Sequence, residues 1–265
     1  MKVFISADIE GITGATHDDE TDARKPDYAE FREHMTAEVN AACEGARAAG
    51  AEEIWVKDAH DTGRNLLAAK LPRDIRLVRG WSGHPLSMIQ ELDASFAAVL
   101  MIGYHSRAGI PGSPLAHTMS DAVTYIKIND RFASEFLLHA YAAASFGVPV
   151  AFVSGDQGLC EEVSSVNPAI GVVAVKHGVG NSVVSIHPAV AVDKIRGGVE
   201  ASLRSDRSRH LISLPDRFTL EIRYREHGRA YRAGFYPGAQ PLDPFTVTFA
   251  HVHYMDVMRT LLFVL

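Results

Sequence analysis

The chain opens with Met1-Lys2-Val3-Phe4-Ile5-Ser6-Ala7-Asp8-Ile9-Glu10-Gly11. Met1 to Ile5 reads as a short apolar strand, and two carboxylates arrive where it ends. An open α/β sheet collects functional groups just beyond the carboxyl ends of its strands, so the position of Asp8 and Glu10 is informative. They stand two residues apart, and in an extended segment their side chains point to the same side. Paired carboxylates attract a cation, because each disfavours the other's ionisation. The bland alternative is a solvated loop, Gly11-Ile12-Thr13-Gly14, that happens to begin with two acids.

Working outward, Tyr28 to Ala49 carries Phe31, Met35, Val39 and Cys43 at i, i+4 spacing and stops at Gly50, the pattern of a helix. Glu53 to Lys57 is a short strand that ends in Asp58-Ala59-His60-Asp61. Leu66 to Leu71 and Pro85 to Leu92 are expected as short helices, with a third strand over Ile75 to Arg79 between them. Phe96 to Gly103 is an almost continuous apolar run, suited to a central strand buried on both faces. It ends in Tyr104-His105-Ser106-Arg107. Ala108 to Leu115 holds two Gly and two Pro and is a loop, with His117 just beyond it. Val123 to Ile128 alternates as a strand and closes on Asn129-Asp130, a turn signal. Ser134 to Ser145 is a helix with Glu135 in its first turn, and Val148 to Ser154 is a further buried strand.

Strands alternating with helices imply an α/β fold with a mainly parallel sheet flanked by helices. From Pro188 the character changes: a helix to Leu203, a charged stretch, then alternating strands over Phe218 to Ile222 and Phe245 to Phe249. The expected organisation is an α/β metal-binding catalytic domain over 1–187 and a smaller α+β region over 188–265. The apolar ending Leu261 to Leu265 is expected to dock on the core or on a neighbouring subunit.

Composition narrows the function classes. The chain of 265 residues is 47% hydrophobic and 22% charged, with a net charge of −6. That mild acidity argues against nucleic acid, which needs a basic stripe. No apolar run approaches the roughly 18 residues of a membrane span, and the first strand lacks the charged lead and cleavage site of a secretory signal. Cys43 and Cys160 are too few for a disulfide framework or a thiolate metal site, so a reduced, cytoplasmic setting is expected. Histidine is the unusual count, at 13, with several beside acids at strand ends.

Those strand ends repeat one chemistry. Asp8 and Glu10 follow the first strand, Asp58 and His60 the second, His105 the central one, and Glu135 opens a later helix. Oxygen and imidazole donors without thiolate suit a catalytic zinc or a related divalent ion. A single catalytic zinc takes three protein ligands, whereas a carboxylate-bridged pair would use at least five, with Asp8 as the natural bridge. Each residue also has a plain structural alternative. Asp58 can cap a turn or orient His60 through its ring N–H, His105 can be a satisfied core histidine, and Glu135 suits a helix first turn in any case. His117 can be a surface-loop histidine, and Lys176 a solvated strand-end lysine or a group facing substrate.

Taken together, Asp8-x-Glu10-Gly11, Lys57-Asp58-Ala59-His60, Gly103-Tyr104-His105, the His117 motif, Asn129-Asp130 through Glu135 and Ala174-Val175-Lys176 resemble the zinc-dependent D-aminopeptidases of bacterial dipeptide-transport operons. The resemblance implies two zinc ions held by Asp8, Glu10, His60, His105 and Glu135, with His117 catalytic. It implies removal of N-terminal D-amino acids, such as D-Ala, from short peptides by a cyclic homo-oligomer. The competing readings are a dinuclear hydrolase of another amide or ester bond and a catalytically silent peptide-binding protein. No basic cluster converges on the acids to hold a phosphate.

Overall fold

A strand buried along its whole length has no polar face, so it must lie inside a sheet covered on both sides. Ala98–Tyr104 is such a strand. The computed structural model describes residues 1–265. In chain order the elements are β1 (Lys2–Ala7), α1 (Tyr28–Ala48), β2 (Glu53–Asp58), β3 (Arg76–Val78), β4 (Ala98–Tyr104), β5 (Val123–Ile128), β6 (Arg131–Phe132), α2 (Glu135–Ala144), β7 (Val150–Asp156), α3 (Gln157–Val166), β8 (Gly171–Val179), β9 (Ser182–Ser185), α4 (Pro188–Arg204), β10 (Phe218–Tyr224), α5 (His227–Ala233), β11 (Gln240–Asp243), β12 (Thr246–His251) and α6 (Tyr254–Val264).

Seven strands form one sheet in the order β3-β2-β1-β4-β7-β8-β9, with β4 at its centre. Its neighbours pair parallel except for the β8–β9 hairpin. The chain runs outward from β1 through β2 and β3, then returns to place β4 on the other side of β1. Such a reversal opens a crevice at the carboxyl ends of the two strands. A second, antiparallel sheet runs β11-β12-β10-β5-β6.

The period-2 alternation of β1 sorts its side chains onto two cores. Val3, Ile5 and Ala7 face a core shared with Val39 and Ala42 of α1 and with Ile195 and Val199 of α4. Phe4 faces the other, where Phe136 and Leu137 of α2 meet Val257 of α6 and Leu220 and Phe249 of the second sheet. Helix α2 lies against β4 and β7 and against α6, and the Tyr254 hydroxyl donates to the Leu138 carbonyl at 2.8 Å. Each large apolar side chain buried this way contributes about 1.5–3 kcal/mol, whereas exposed ion pairs contribute about 0–1 kcal/mol. The layers are therefore held by the two cores, not by surface charge.

The mainly parallel sheet and its helices match the expectation from sequence, and several local expectations change. Leu66 to Leu71 and Pro85 to Leu92 form only the 3-10 turns Ala68–Lys70 and Ser87–Ile89. Positive φ at Ser87 (46°) and Glu91 (75°) stops an α-helix over the second stretch. Asn129 and Asp130, with φ of 49° and 64°, make the tight turn between β5 and β6. That hairpin pairs with β10, while α4 packs on α1. The second sheet thus takes strands from both sides of residue 187. In the apolar ending, Leu261 and Val264 are buried while Leu262 and Phe263 are exposed.

One buried acid ties α1 to the first loop. Glu38 accepts from the Thr13 N–H at 2.9 Å and from its hydroxyl at 2.8 Å. Burial pushes its pKa up to about 7, with the two Thr13 bonds opposing. A carboxyl whose pKa is raised on folding loses stability as pH climbs from its unfolded value of 4.5 to about 7. We expect Tm to fall across that window and Glu38→Gln, which keeps the acceptor oxygen, to flatten the fall. Calorimetry from about pH 4 to about pH 8 reads both slopes, and equal slopes would contradict this role for Glu38.

Candidate metal centre

Two glycines allow the ends of β1 and β4 to meet. The Asp8 N–H donates to the Ile102 carbonyl at 2.9 Å and the Gly11 N–H to the Gly103 carbonyl at 2.8 Å. A Cβ on Gly11 would fall 1.6 Å from the Tyr104 carbonyl oxygen, and one on Gly103, at φ +71°, would fall 2.4 Å from that of Asp8. Only glycine permits this approach. It brings Asp8 and Glu10 beside His105, while the parallel neighbour β2 delivers His60 from its own end. Glu135 arrives from the first turn of α2, where the Ser134 side chain caps the Leu137 N–H at 3.2 Å.

The five expected ligands converge. His60 Nδ1 lies 3.3 Å from Asp8 Oδ1 and 2.8 Å from Glu10 Oε2. His105 Nε2 lies 3.6 Å from Asp8 Oδ2 and 3.5 Å from Glu135 Oε2. All five residues are buried, Glu10 and His60 the least so at 6% and 9% exposed. Asp8, Glu10 and His60 form one group of donor atoms within 4.8 Å of one another, and Asp8, His105 and Glu135 form a second. Asp8 belongs to both, with one oxygen toward each. Glu10, His105 and His117 make a third, overlapping group at the same spacing.

The outer nitrogen of each imidazole is fixed by a backbone carbonyl. His60 Nε2 meets Thr21 O at 3.0 Å, His105 Nδ1 meets Ser106 O at 2.9 Å, and His117 Nδ1 meets Leu115 O at 3.0 Å. A carbonyl only accepts, so those nitrogens carry the hydrogen and the opposite nitrogens turn a lone pair inward. At 2.8 Å, as between His60 and Glu10, the two atoms need a proton or a metal cation between them. Glu10 Oε2 and His105 Nε2 are buried with no hydrogen-bond partner. Neutral imidazoles, carboxylates and orphaned buried donors are what a divalent ion requires, so the residues fit zinc.

The titration pattern has the same origin. Burial works against charge on His105, but Glu135 and Asp8 outweigh it and lift its pKa to about 10. His60 is likewise raised well above the usual imidazole range, with Glu10 and Asp8 overcoming its burial. Burial and the Glu10 charge push Asp8 up. Glu10 and Glu135 are held low against their burial, chiefly by His60 and His105 respectively, Glu135 at about 2.

Other expected residues take different places. His117 is partly exposed, stacks on His105 at 4.3 Å between ring centroids, and sets Nε2 3.5 Å from Glu135 Oε1. Asp58 does not reach the His60 ring. It accepts from the Asn65 and Leu66 N–H groups and from Asn65 Nδ2 at 2.7 Å, and the same Nδ2 donates to the His60 carbonyl at 2.7 Å. Asp58 therefore shapes the loop that carries His60. Lys176 is buried, not solvated, and its Nζ donates to the Glu10 and Ala15 carbonyls, so it clamps the first loop from below. The Met119 N–H, which donates to Glu135 Oε1 at 2.7 Å, has no side-chain signature in sequence. A cavity of about 940 Å³ lies over the cluster, and Trp81, His84, Arg225 and Leu262 line it without having been foreseen.

The family model described as D-aminopeptidase matches residues 1–263. The chain is 34% identical over 241 residues to a D-aminopeptidase of Bacillus subtilis (strain 168), covering 91% of this chain and 87% of that one. It is also similar to the solved structure of the Zn-dependent D-aminopeptidase DppA from Bacillus subtilis, a self-compartmentalizing protease. That superposition has a TM-score of 0.94 at 31% identity and covers 100% of this chain and 96% of the other.

The glycine contact is open to test. Gly11→Ala must push the Tyr104 backbone aside, which separates Asp8 and Glu10 from His105. We expect a fall in Tm together with loss of zinc uptake measured by calorimetric titration. A variant with wild-type zinc affinity would show that the contact does not set the site.

Proposed function

The chain belongs to the D-aminopeptidase family, and from that premise we propose that it removes N-terminal D-residues such as D-Ala from short peptides at two zinc ions held by Asp8, Glu10, His60, His105 and Glu135. It is a metal-dependent aminopeptidase. The observation that carries the ligand assignment is the set of inward lone pairs, each fixed by a carbonyl on the far side of its ring. Two ions are supported by the position of Asp8 in both donor groups. Seven carboxylates and only two guanidiniums line the cavity, which leaves room for that much positive charge.

When bound, zinc supplies Lewis acidity and makes hydroxide available at neutral pH. The remaining work falls to the chain's own groups. The Leu115 carbonyl holds the hydrogen on His117 Nδ1, so Nε2 is free to take a proton and to return it to the leaving amine. Stacking on His105 fixes the plane of the ring, and partial exposure lets it meet substrate. The cavity walls hold the free amine and the side chain in set directions, so that one enantiomer presents its carbonyl correctly. A misplacement of about 1 Å can cost roughly 10² in rate, enough for strong chiral preference.

A cyclic homo-oligomer is supported by the exposed Leu262 and Phe263 beside buried Leu261, and by the self-compartmentalizing relative. A reducing, cytoplasmic setting is supported by two free, buried cysteines. No helix is long and apolar enough to cross a membrane.

Plasma emission analysis of zinc-supplemented protein should find close to two ions per chain, in the wild type and in His117→Ala alike, while the variant loses activity by about 10² or more. One ion per chain would remove the dinuclear reading, and an active variant would return His117 to the surface. At equal metal loading, D-Ala-D-Ala should be cleaved much faster than L-Ala-L-Ala, and acetylation of the amine should stop turnover. Preference for the L-peptide would retire the D-specific reading.

A further inference from the structure

The two guanidiniums that line the cavity are in different states. Arg24 is occupied by Asp22, to which its Nε and Nη2 donate at 2.9 and 2.8 Å. Arg225 donates its backbone N–H to the Ala122 carbonyl at 2.9 Å, but its guanidinium has no hydrogen bond or ion pair with any residue. Asp121, beside Ala122, lines the same cavity without pairing to it.

Arg225 directly follows β10, which is registered against β5 with Tyr224 opposite Val123. It therefore stands beside Ala122, three residues on from Met119, whose N–H bonds the Glu135 carboxylate. Three residues of chain span at most about 11 Å. The free guanidinium thus sits a few residues' length from the hydrolytic centre, on the wall that the second sheet and Leu262 contribute. A planar fork of donors that faces a cavity and is paired with none of the acids lining it can receive a carboxylate through two parallel hydrogen bonds. A peptide with its N-terminal residue at the metal cluster directs its C-terminal carboxylate outward. In a di- or tripeptide that group lies one or two residues beyond the scissile bond.

We propose that Arg225 binds the C-terminal carboxylate of the substrate, so that the enzyme selects di- and tripeptide acids over their amides and over longer chains. This rests on the aminopeptidase reading above. The guanidinium lies away from the ligand cluster, which makes Arg225 a specificity residue and not a catalytic one.

The test compares kcat/KM for D-Ala-D-Ala and D-Ala-D-Ala-D-Ala with their C-terminal amides, in wild type, Arg225→Gln and Arg225→Lys. Loss of a charge-assisted contact predicts that wild type favours the acids by about tenfold, mainly through KM. Arg225→Gln should bring the acids down to the level of the amides. Arg225→Lys should keep part of the preference, and added salt should erode it. Equal rates on acid and amide in wild type, or a variant that lowers both by one factor, would overturn the role of Arg225 and leave the aminopeptidase standing. Wild-type protein that cleaves no D-peptide would overturn the underlying reading and this one with it.

Discussion

Three carboxylates and two imidazoles, all buried and all turning lone pairs toward one another, require positive charge among them. Burial of an ionised carboxylate without a partner costs several kcal/mol, and Asp8, Glu10 and Glu135 are each 6% exposed or less. No lysine or arginine pairs with these acids: Lys176 reaches only the carbonyls behind them, and their ion-pair partners are all histidines. Protons on His60 and His105 can meet the need, as would the divalent ions proposed above. The rest of the first sheet serves to keep these groups from relaxing apart. Gly11 and Gly103 lock two strand ends together, Lys176 and Glu38 hold the intervening loop, and Asn65 ties Asp58 to the loop of His60.

This dependence explains which features were legible in sequence. Strands β1 to β4 and β7 of the first sheet carry apolar runs or alternation long enough to be seen, and β4 in particular has no charged residue to confuse its period. The β8–β9 hairpin does not declare itself. Asp8 and Glu10 declare themselves by their spacing, and His60 and His105 by standing where strands end. The lone pairs are a different matter. They are set by Thr21, Ser106 and Leu115 through backbone carbonyls, which every residue type possesses. Lys176 reads as a solvated strand end because its partners lie about 160 residues earlier in the chain. Asp58, two positions before His60 in the motif, acts on that histidine's carbonyl through Asn65 and leaves the ring alone.

The same limit applies to the fold. Val123 to Ile128 shows its alternation and its Asn129-Asp130 turn plainly, yet nothing local tells which sheet it joins. Its partner β10 lies about ninety residues later, and pairing with it draws residues 123–132 away from the first sheet. Helix α3 is short and begins at Asp156, a capping residue that also ends β7, so strand and helix merge in the sequence. In the region 66–92 the apolar spacing suits a helix, but the positive φ at Ser87 and Glu91 is imposed by surroundings that the spacing does not reveal.

The membership of β5 in the second sheet matters for chemistry. Asp8, Glu10 and His60 stand just beyond the carboxyl ends of β1 and β2 in the first sheet. Glu135 and His117 flank the β5–β6 hairpin, one just after it and one just before. Their positions relative to the first three residues therefore depend on how the second sheet docks, through α2 and α6, onto the first. Tyr254 bonding the Leu138 carbonyl and Tyr224 bonding the Val264 carbonyl are the polar ties across that junction. The half of the cluster on the first sheet is fixed by backbone pairing within one sheet. The half with His105, Glu135 and His117 is completed only when the two sheets close on their shared core. The wall that carries Arg225 and Leu262 is set by the same closure, so His117 and Arg225 are positioned as one unit.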